Sequence, residues 1–213
     1  MVTARLAAFL GASLVACLAA SLAFATRGDA QASRPWGGIG WIDANSADFR
    51  RGTTATRGIG SRGWGFDIGG GATYRRLIVG ADVGLNSFHD DSSFSESTTG
   101  GTRSSSTSAL YGSLFVGALS PALRTSPRGE GGVVAGVITG VSGWSADRSI
   151  ASCVNCRSDA LDVKAGGFVE PFVVVGVVRD RIAGIRIAWR RFIEGGATVN
   201  SVVSLGFVGG LVR

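Results

Sequence analysis

Between Gly166 and Arg213 the chain alternates, residue by residue, between apolar side chains and small or charged ones. Ala183, Ile185, Ile187 and Trp189 fall on one face, and Gly184, Arg186, Ala188 and Arg190 on the other. A period of two marks a strand lying between two different environments. Val203, Leu205, Phe207 and Leu211 repeat the pattern against Ser204, Gly206 and Gly210. Three consecutive strands are predicted here: Gly167–Val178, Ile182–Phe192 and Ser201–Val212.

The same rhythm extends upstream. Trp36–Asp43 is a first strand, with Ile39 and Trp41 on one face, and 44–62 is a polar loop. Gly63–Tyr74 sets Trp64, Phe66, Ile68, Ala72 and Tyr74 against Asp67, Gly69, Gly71 and Thr73. Arg75-Arg76 makes a tight turn into Leu77–Phe88, whose Leu77, Val79, Ala81, Val83 and Leu85 oppose Gly80, Asp82, Gly84 and Asn86. A two-residue turn makes Tyr74 and Leu77 direct partners, so the two apolar faces coincide. After a polar tract at 89–107, Ser108–Leu119 is a strand of ambiguous facing: Leu110, Leu114, Val116 and Ala118 compete with Tyr111, Phe115 and Leu119. Gly132–Trp144 follows the connection 120–131, with Val133, Ala135, Val137 and Val141 as its apolar set, and 145–163 is a further polar loop.

That makes about eight strands of roughly 10–13 residues, near the roughly 9–11 of a tilted membrane strand. The connections run long (44–62), short (75–76), long (89–107), medium (120–131), long (145–163), short (179–181) and short (193–200). The first three on one side are thus all long, as in barrels whose loops face one compartment and whose turns face the other. The fold class expected is all-β: an antiparallel up-and-down transmembrane β-barrel of about eight strands. Trp41, Trp64, Tyr111, Trp144 and Trp189 would form an aromatic girdle near the outer strand ends, with Trp36 and Tyr74 at the inner rim.

Composition fits an exterior that does not face water. Charged residues are 17% of the chain and Lys164 is the only lysine, against roughly 25% charged in soluble domains. The net charge of +6 is carried by scattered arginines, with no basic run interleaved with aromatics, so nucleic acid is excluded as a partner. Arg5 followed by the apolar stretch 6–24 reads as an export signal, with Ala23-Phe24-Ala25 as a small-x-small cleavage site before Thr26. The expected division is 1–25 signal peptide, 26–34 short segment, 35–213 barrel. Leu14-Val15-Ala16-Cys17 also matches a lipobox with Cys17 lipidated, and the run is long enough for an uncleaved anchor.

On this rhythm, and on the stretch Glu170-Pro171-Phe172-Val173-Val174-Val175-Gly176, residues 34–213 resemble the small outer-membrane β-barrel proteins of Gram-negative bacteria, typified by the barrel of outer-membrane protein A. The resemblance implies an outer-membrane location, contact with outer-membrane lipid and a surface partner for the outer loops. It implies a structural or surface-interaction role for a monomer; from the residues themselves, no enzymatic activity and no cofactor are expected. Such barrels end in an aromatic residue; this chain ends Leu211-Val212-Arg213, leaving Phe207 as the substitute.

Few constellations compete for chemistry. Gly58-Ile59-Gly60-Ser61-Arg62-Gly63 matches GxGxxG, but a strand follows it where the dinucleotide fingerprint needs a helix. Cys153 and Cys156 lack two further zinc ligands and a βαβ setting, which leaves a small loop disulfide. His89-Asp90-Asp91-Ser92 holds the elements of a hydrolytic site without rigid support. The face opposite the apolar one carries Asp67, Asp82, Glu170, Arg186 and Arg190 among glycines. In a narrow barrel these charges would pair inside the lumen and plug it. With a three-residue turn at 179–181, Glu170 falls across from Arg190, and Arg186 is expected to reach Asp67 or Asp82. The alternatives are a soluble lipocalin-like barrel with the apolar face inward, binding a hydrophobic ligand, and a small pore.

Overall fold

The computed structural model describes residues 36–49, 59–90, 105–124, 131–150, 159–161, 166–178, 181–193 and 199–211. Eight long strands carry the architecture: β1 (Trp36–Phe49), β2 (Ile59–Tyr74), β3 (Leu77–Asp90), β4 (Ser105–Leu119), β5 (Gly132–Ile150), β6 (Gly166–Val178), β7 (Arg181–Ile193) and β8 (Val199–Leu211). Each pairs antiparallel with its sequence neighbour, and β1 pairs with β8 from Gly38↔Leu211 to Phe49↔Val199, so the sheet closes on itself. Two short strands, Leu123–Arg124 and Asp159–Leu161, add to the two ends of β5. There is no helix among the described residues.

Closure explains why alternation is so regular: a barrel has no edge strands, and every residue points either into the lumen or out. Outward positions are aliphatic or aromatic over most of β2 to β8; Phe207 is 75% exposed and Trp64 74%. On β3 this face runs from Leu77 to Leu85, about 27 Å along the strand and, at a tilt of roughly 40°, about 21 Å along the barrel axis. Polar outward residues bound it towards the loop end: Arg62, Ser87, Ser108, Ser145, Arg191 and Ser201. The lipocalin-like arrangement is therefore not the one found, because the Val/Ile/Leu face is outside.

Phase holds from strand to strand. Tyr74 pairs with Leu77, and Val178 with Ile182. The ambiguity of β4 resolves with Leu110, Leu114, Val116 and Ala118 outward and Tyr111, Phe115 and Leu119 buried.

Three expectations need correction. Polar composition does not end the ladders: β1 runs on to Phe49, β2 starts at Ile59, β3 reaches Asp90, β4 starts at Ser105 and β5 reaches Ile150. Backbone pairing such as His89↔Ser106 and Ser105↔Ile150 needs no apolar side chains once its neighbours are in register. The aromatic girdle is also smaller than expected. Trp64 and Trp189 face out, but Trp41 (4% exposed), Tyr111 (1%) and Trp144 (6%) lie inside. The reason is room: Trp41 faces Gly69, and Tyr111 faces Gly84, across the sheet. A Cβ on Gly84 would stand 2.3 Å from the Tyr111 ring. Third, Arg186 does not reach Asp67 or Asp82, as detailed below. The leader at 1–25, the segment 26–34, Cys17, Cys153 and Cys156 lie outside the described residues, as do the side chains of His89 and Asp90.

Candidate functional site: the charged lumen

Every strand contributes an inward polar side chain at mid-height. They are Asp43 and Asn45 (β1), Asp67 (β2), Asp82 (β3), Ser113 (β4), Ser142 (β5), Glu170 (β6), Arg186 and Arg190 (β7) and Ser204 (β8), all buried. The alternation that puts Ile185, Ile187 and Trp189 outside forces Arg186 and Arg190 inside. The pairs Val169↔Arg191 and Phe172↔Ala188 bracket Glu170 and set it level with Arg190. Pro171, which has no N–H for the ladder, points outward.

Glu170 is the centre of the network. Arg190 Nε donates to its Oε2 at 2.5 Å, and Arg186 Nη2 donates to its Oε1. Each arginine then holds a second carboxylate. Arg186 Nη1 bonds Asp43, two strands away, past β8. Arg190 forks onto Asp82 with Nη1 to Oδ1 at 3.2 Å and Nη2 to Oδ2, and Nη1 also donates to Ser113 Oγ at 3.0 Å. The chain Asp43–Arg186–Glu170–Arg190–Asp82 thus spans the lumen from β1 through β7 and β6 to β3. Asp67 stands apart from the arginines: Asn45 Nδ2 donates to it at 3.0 Å and Ser204 Oγ at 3.3 Å. Asn45 Nδ2 also lies 3.4 Å from the Tyr111 hydroxyl, and Ser113 Oγ donates to Ser142 Oγ at 3.1 Å.

The sequence reading missed Asp43 and Asn45 because it ended β1 at the first polar residue. The signal was present in Ile39-x-Trp41-x-Asp43-x-Asn45-x-Ala47, one continuous inward set whose outward partners include Ile42.

Larger apolar groups from strands other than β2 bracket the polar layer on both sides. Towards the loop end, the Tyr111 and Trp144 rings sit 4.5 Å apart, Trp144 and Phe192 5.5 Å, and Phe168 and Phe192 6.2 Å. Arg190 lies 4.2 Å from the Phe168 ring centre. Towards the end holding the strand termini of β1 and β8, Arg186 lies 4.5 Å from Trp41 and 5.1 Å from Phe172. The lumen also holds Ile39, Ile78, Leu119, Val134, Ile138, Val174, Ile182 and Val208, all buried. These stacks give the guanidinium faces cation–π contacts while their edges serve the carboxylates.

Chemically, the arrangement holds charge in place: two arginines are cross-linked to three carboxylates. Among the described residues no group of three His, Cys, Asp or Glu is placed to hold a metal ion. The GxGxxG stretch runs into β2, whose Ile59 pairs with Asp90.

No protein-family model matches the sequence. No curated protein matches it either. Among solved structures the chain is similar to OprG, an outer membrane protein of Pseudomonas aeruginosa, at 10% identity and a TM-score of 0.44, over 84% of this chain and 97% of that one. It is similar to Ail, the attachment invasion locus protein of Yersinia pestis, at 11% identity and a TM-score of 0.42, over 83% of this chain and 96% of that one. The N-terminal β-barrel domain of Pseudomonas aeruginosa OprF is similar at 10% identity and a TM-score of 0.41, over 84% and 98%. The barrel architecture itself rests on the strand pairings described above.

Proposed function

We propose that this chain is an outer-membrane barrel protein whose lumen is plugged, acting as a structural or surface-interaction element through the loops at its far end. One observation carries the reading: charges cross-linked in the middle of the lumen between two apolar layers, inside a barrel whose outer face is a continuous apolar belt. An ion entering the lumen would have to shed water beside Phe168, Phe192 and Trp144, then displace an arginine from two carboxylates. Apolar constrictions of this kind resist wetting, and both buried arginines are already committed to carboxylates.

The orientation follows from the connections. Those at one end, 75–76, 120–131 and 179–180, include the two shortest, and this end also holds the start of β1 and the finish of β8. It is assigned to the periplasm, and the other end to the cell surface. The reading assigns the protein no enzymatic activity.

Reconstitution tests it. The folded chain should co-fractionate with detergent-extracted outer membrane, migrate faster on a gel when unboiled, and give no single-channel steps in planar bilayers. Regular unitary conductance would overturn the plugged lumen, and recovery in the soluble periplasmic fraction would overturn the membrane reading itself.

A further inference from the structure

The periplasmic end of the belt carries a feature that the lumen does not account for. Trp36 faces outward there and packs against Tyr74 with the rings tilted by 53°, ring centres 4.9 Å apart. The turn that follows is Arg75-Arg76, both exposed, and the Arg75 guanidinium lies 5.6 Å from the Tyr74 ring centre. Further round the same rim, beyond β1 and β8, Arg181 projects outward at the foot of β7, opposite Leu211 of β8. No acidic side chain among the described residues lies at this end. At the opposite rim, by contrast, Arg62 stands across from Asp48.

Arg75 also breaks a local rule. Its φ of 56° is in the left-handed region, which glycine or asparagine occupies at lower cost. A two-residue hairpin turn is normally built from those residues. A bulky cation kept at such a position is explained if the cation is used.

We propose that Arg75, Arg76 and Arg181 form a binding rim for the phosphate groups of anionic phospholipids in the leaflet at this end. An aromatic pair at the edge of an apolar belt sits at headgroup depth, and guanidinium groups just beyond it reach the phosphates. Arginine is suited to phosphate because its fork donates two parallel hydrogen bonds. Arginines at headgroup depth prefer a headgroup of net negative charge over a zwitterionic one, by about fivefold per arginine. The proposal rests on the membrane reading, and its test is arranged so that the two can fail separately.

The full chain is reconstituted in phosphatidylcholine vesicles containing a fixed share of quencher-labelled lipid, either phosphatidylglycerol or phosphatidylcholine, labelled high on the acyl chain. The reporter is the part of the tryptophan quenching that disappears in Trp36→Phe. Labelled phosphatidylglycerol should quench it several-fold more effectively than labelled phosphatidylcholine. The preference should collapse in 1 M salt and in Arg75→Gln/Arg76→Gln/Arg181→Gln, survive in the corresponding triple lysine variant, and survive in Arg62→Gln/Arg191→Gln. Equal quenching by the two lipids in the wild type, or a preference indifferent to salt, would overturn the proposal without needing any variant to fold. Inorganic phosphate should weaken the preference no more than chloride at equal ionic strength; stronger competition would assign the rim to free phosphate instead. Failure of the wild type to insert would sink the membrane reading, whereas insertion without lipid preference would sink only this one.

Discussion

Glu170 is held by two arginines, and each arginine keeps a second carboxylate, so the network should respond unequally to removal of its parts. In Glu170→Gln only the amide oxygen can still accept. One of the two charge-assisted hydrogen bonds is therefore weakened and the other is lost, its arginine N–H left facing an amide N–H. Such bonds contribute about 1.5–3 kcal/mol each against about 1 kcal/mol for a neutral bond, and Arg186 and Arg190 retain Asp43 and Asp82. A loss of about 2–4 kcal/mol follows. Arg190→Gln is worse, because Asp82 loses both bonds to the guanidinium and Ser113 loses its donor. Stranding a buried charge costs about 3–5 kcal/mol. The double variant should fall short of the summed losses by about 1–3 kcal/mol, since the two residues share the bond that each single change already breaks. Adding Asp82→Asn to Arg190→Gln should recover part of the loss as well, because it removes the stranded carboxylate. The assay is urea unfolding of the reconstituted barrel, followed by tryptophan fluorescence and by loss of the fast-migrating gel form. Additivity of Glu170→Gln and Arg190→Gln within about 0.5 kcal/mol would refute the pairing, whatever the size of the single effects.

Gly84→Val should destabilise the barrel by about 1–3 kcal/mol or more, since its Cβ would stand 2.3 Å from the Tyr111 ring, whereas Gly209→Ala, with open space around the added carbon, should be near neutral in the same unfolding assay. Phe207→Arg, on the outer face, should cost about 2–4 kcal/mol in bilayers if that position lies near the midplane, and wild-type stability in lipid would place it outside the membrane. Protease added to intact cells should cut within 50–58, 91–104 or 151–158 and spare 120–131; cleavage at Arg124 or Arg128 would invert the orientation.

Much of the barrel could be read from residue alternation alone, because six of the long strands, β2, β3 and β5 to β8, carry one clearly apolar set. Tight turns then transmit phase: the Arg75-Arg76 turn ties β2 to β3, and counting back from Val178 and forward from Ile182 sets Glu170 beside Arg190. What could not be read were contacts between strands that are not neighbours. Arg186 meets Asp43 past an intervening strand, and Arg190 meets Asp82 across the lumen. Such meetings depend on strand tilt and stagger around the closed barrel, which hydrogen-bond register between neighbours does not determine by itself. The phase of β1 was obscured for a simpler reason. Its outward set is mostly Gly38, Gly40, Ile42 and Ala44, less bulky than the Ile39 and Trp41 it places inside.

That last inversion points to a cue stronger than side-chain size, namely what an aromatic residue faces across the ladder. Inside, Phe88 faces Gly63, Trp41 faces Gly69, Tyr111 faces Gly84, Phe172 faces Gly136, and Phe115 faces both Gly80 and Gly140. The remaining inward aromatics face one another: Trp144 is across from Tyr111, and Phe168 from Phe192 as well as Gly140. Outside, none of the partners found for Trp64, Phe66, Trp189 and Phe207 is glycine: they are Ser46 and Ser87, Ala44 and Leu85, Val203, and Ile42 and Ile185. The asymmetry is geometric. Side chains fan apart on the convex face of a barrel and converge on the concave one, and an eight-stranded lumen is just wide enough to be filled. Six of these eight inward rings turn in where a neighbouring strand leaves out a Cβ, so glycines placed across from aromatics mark the lumen.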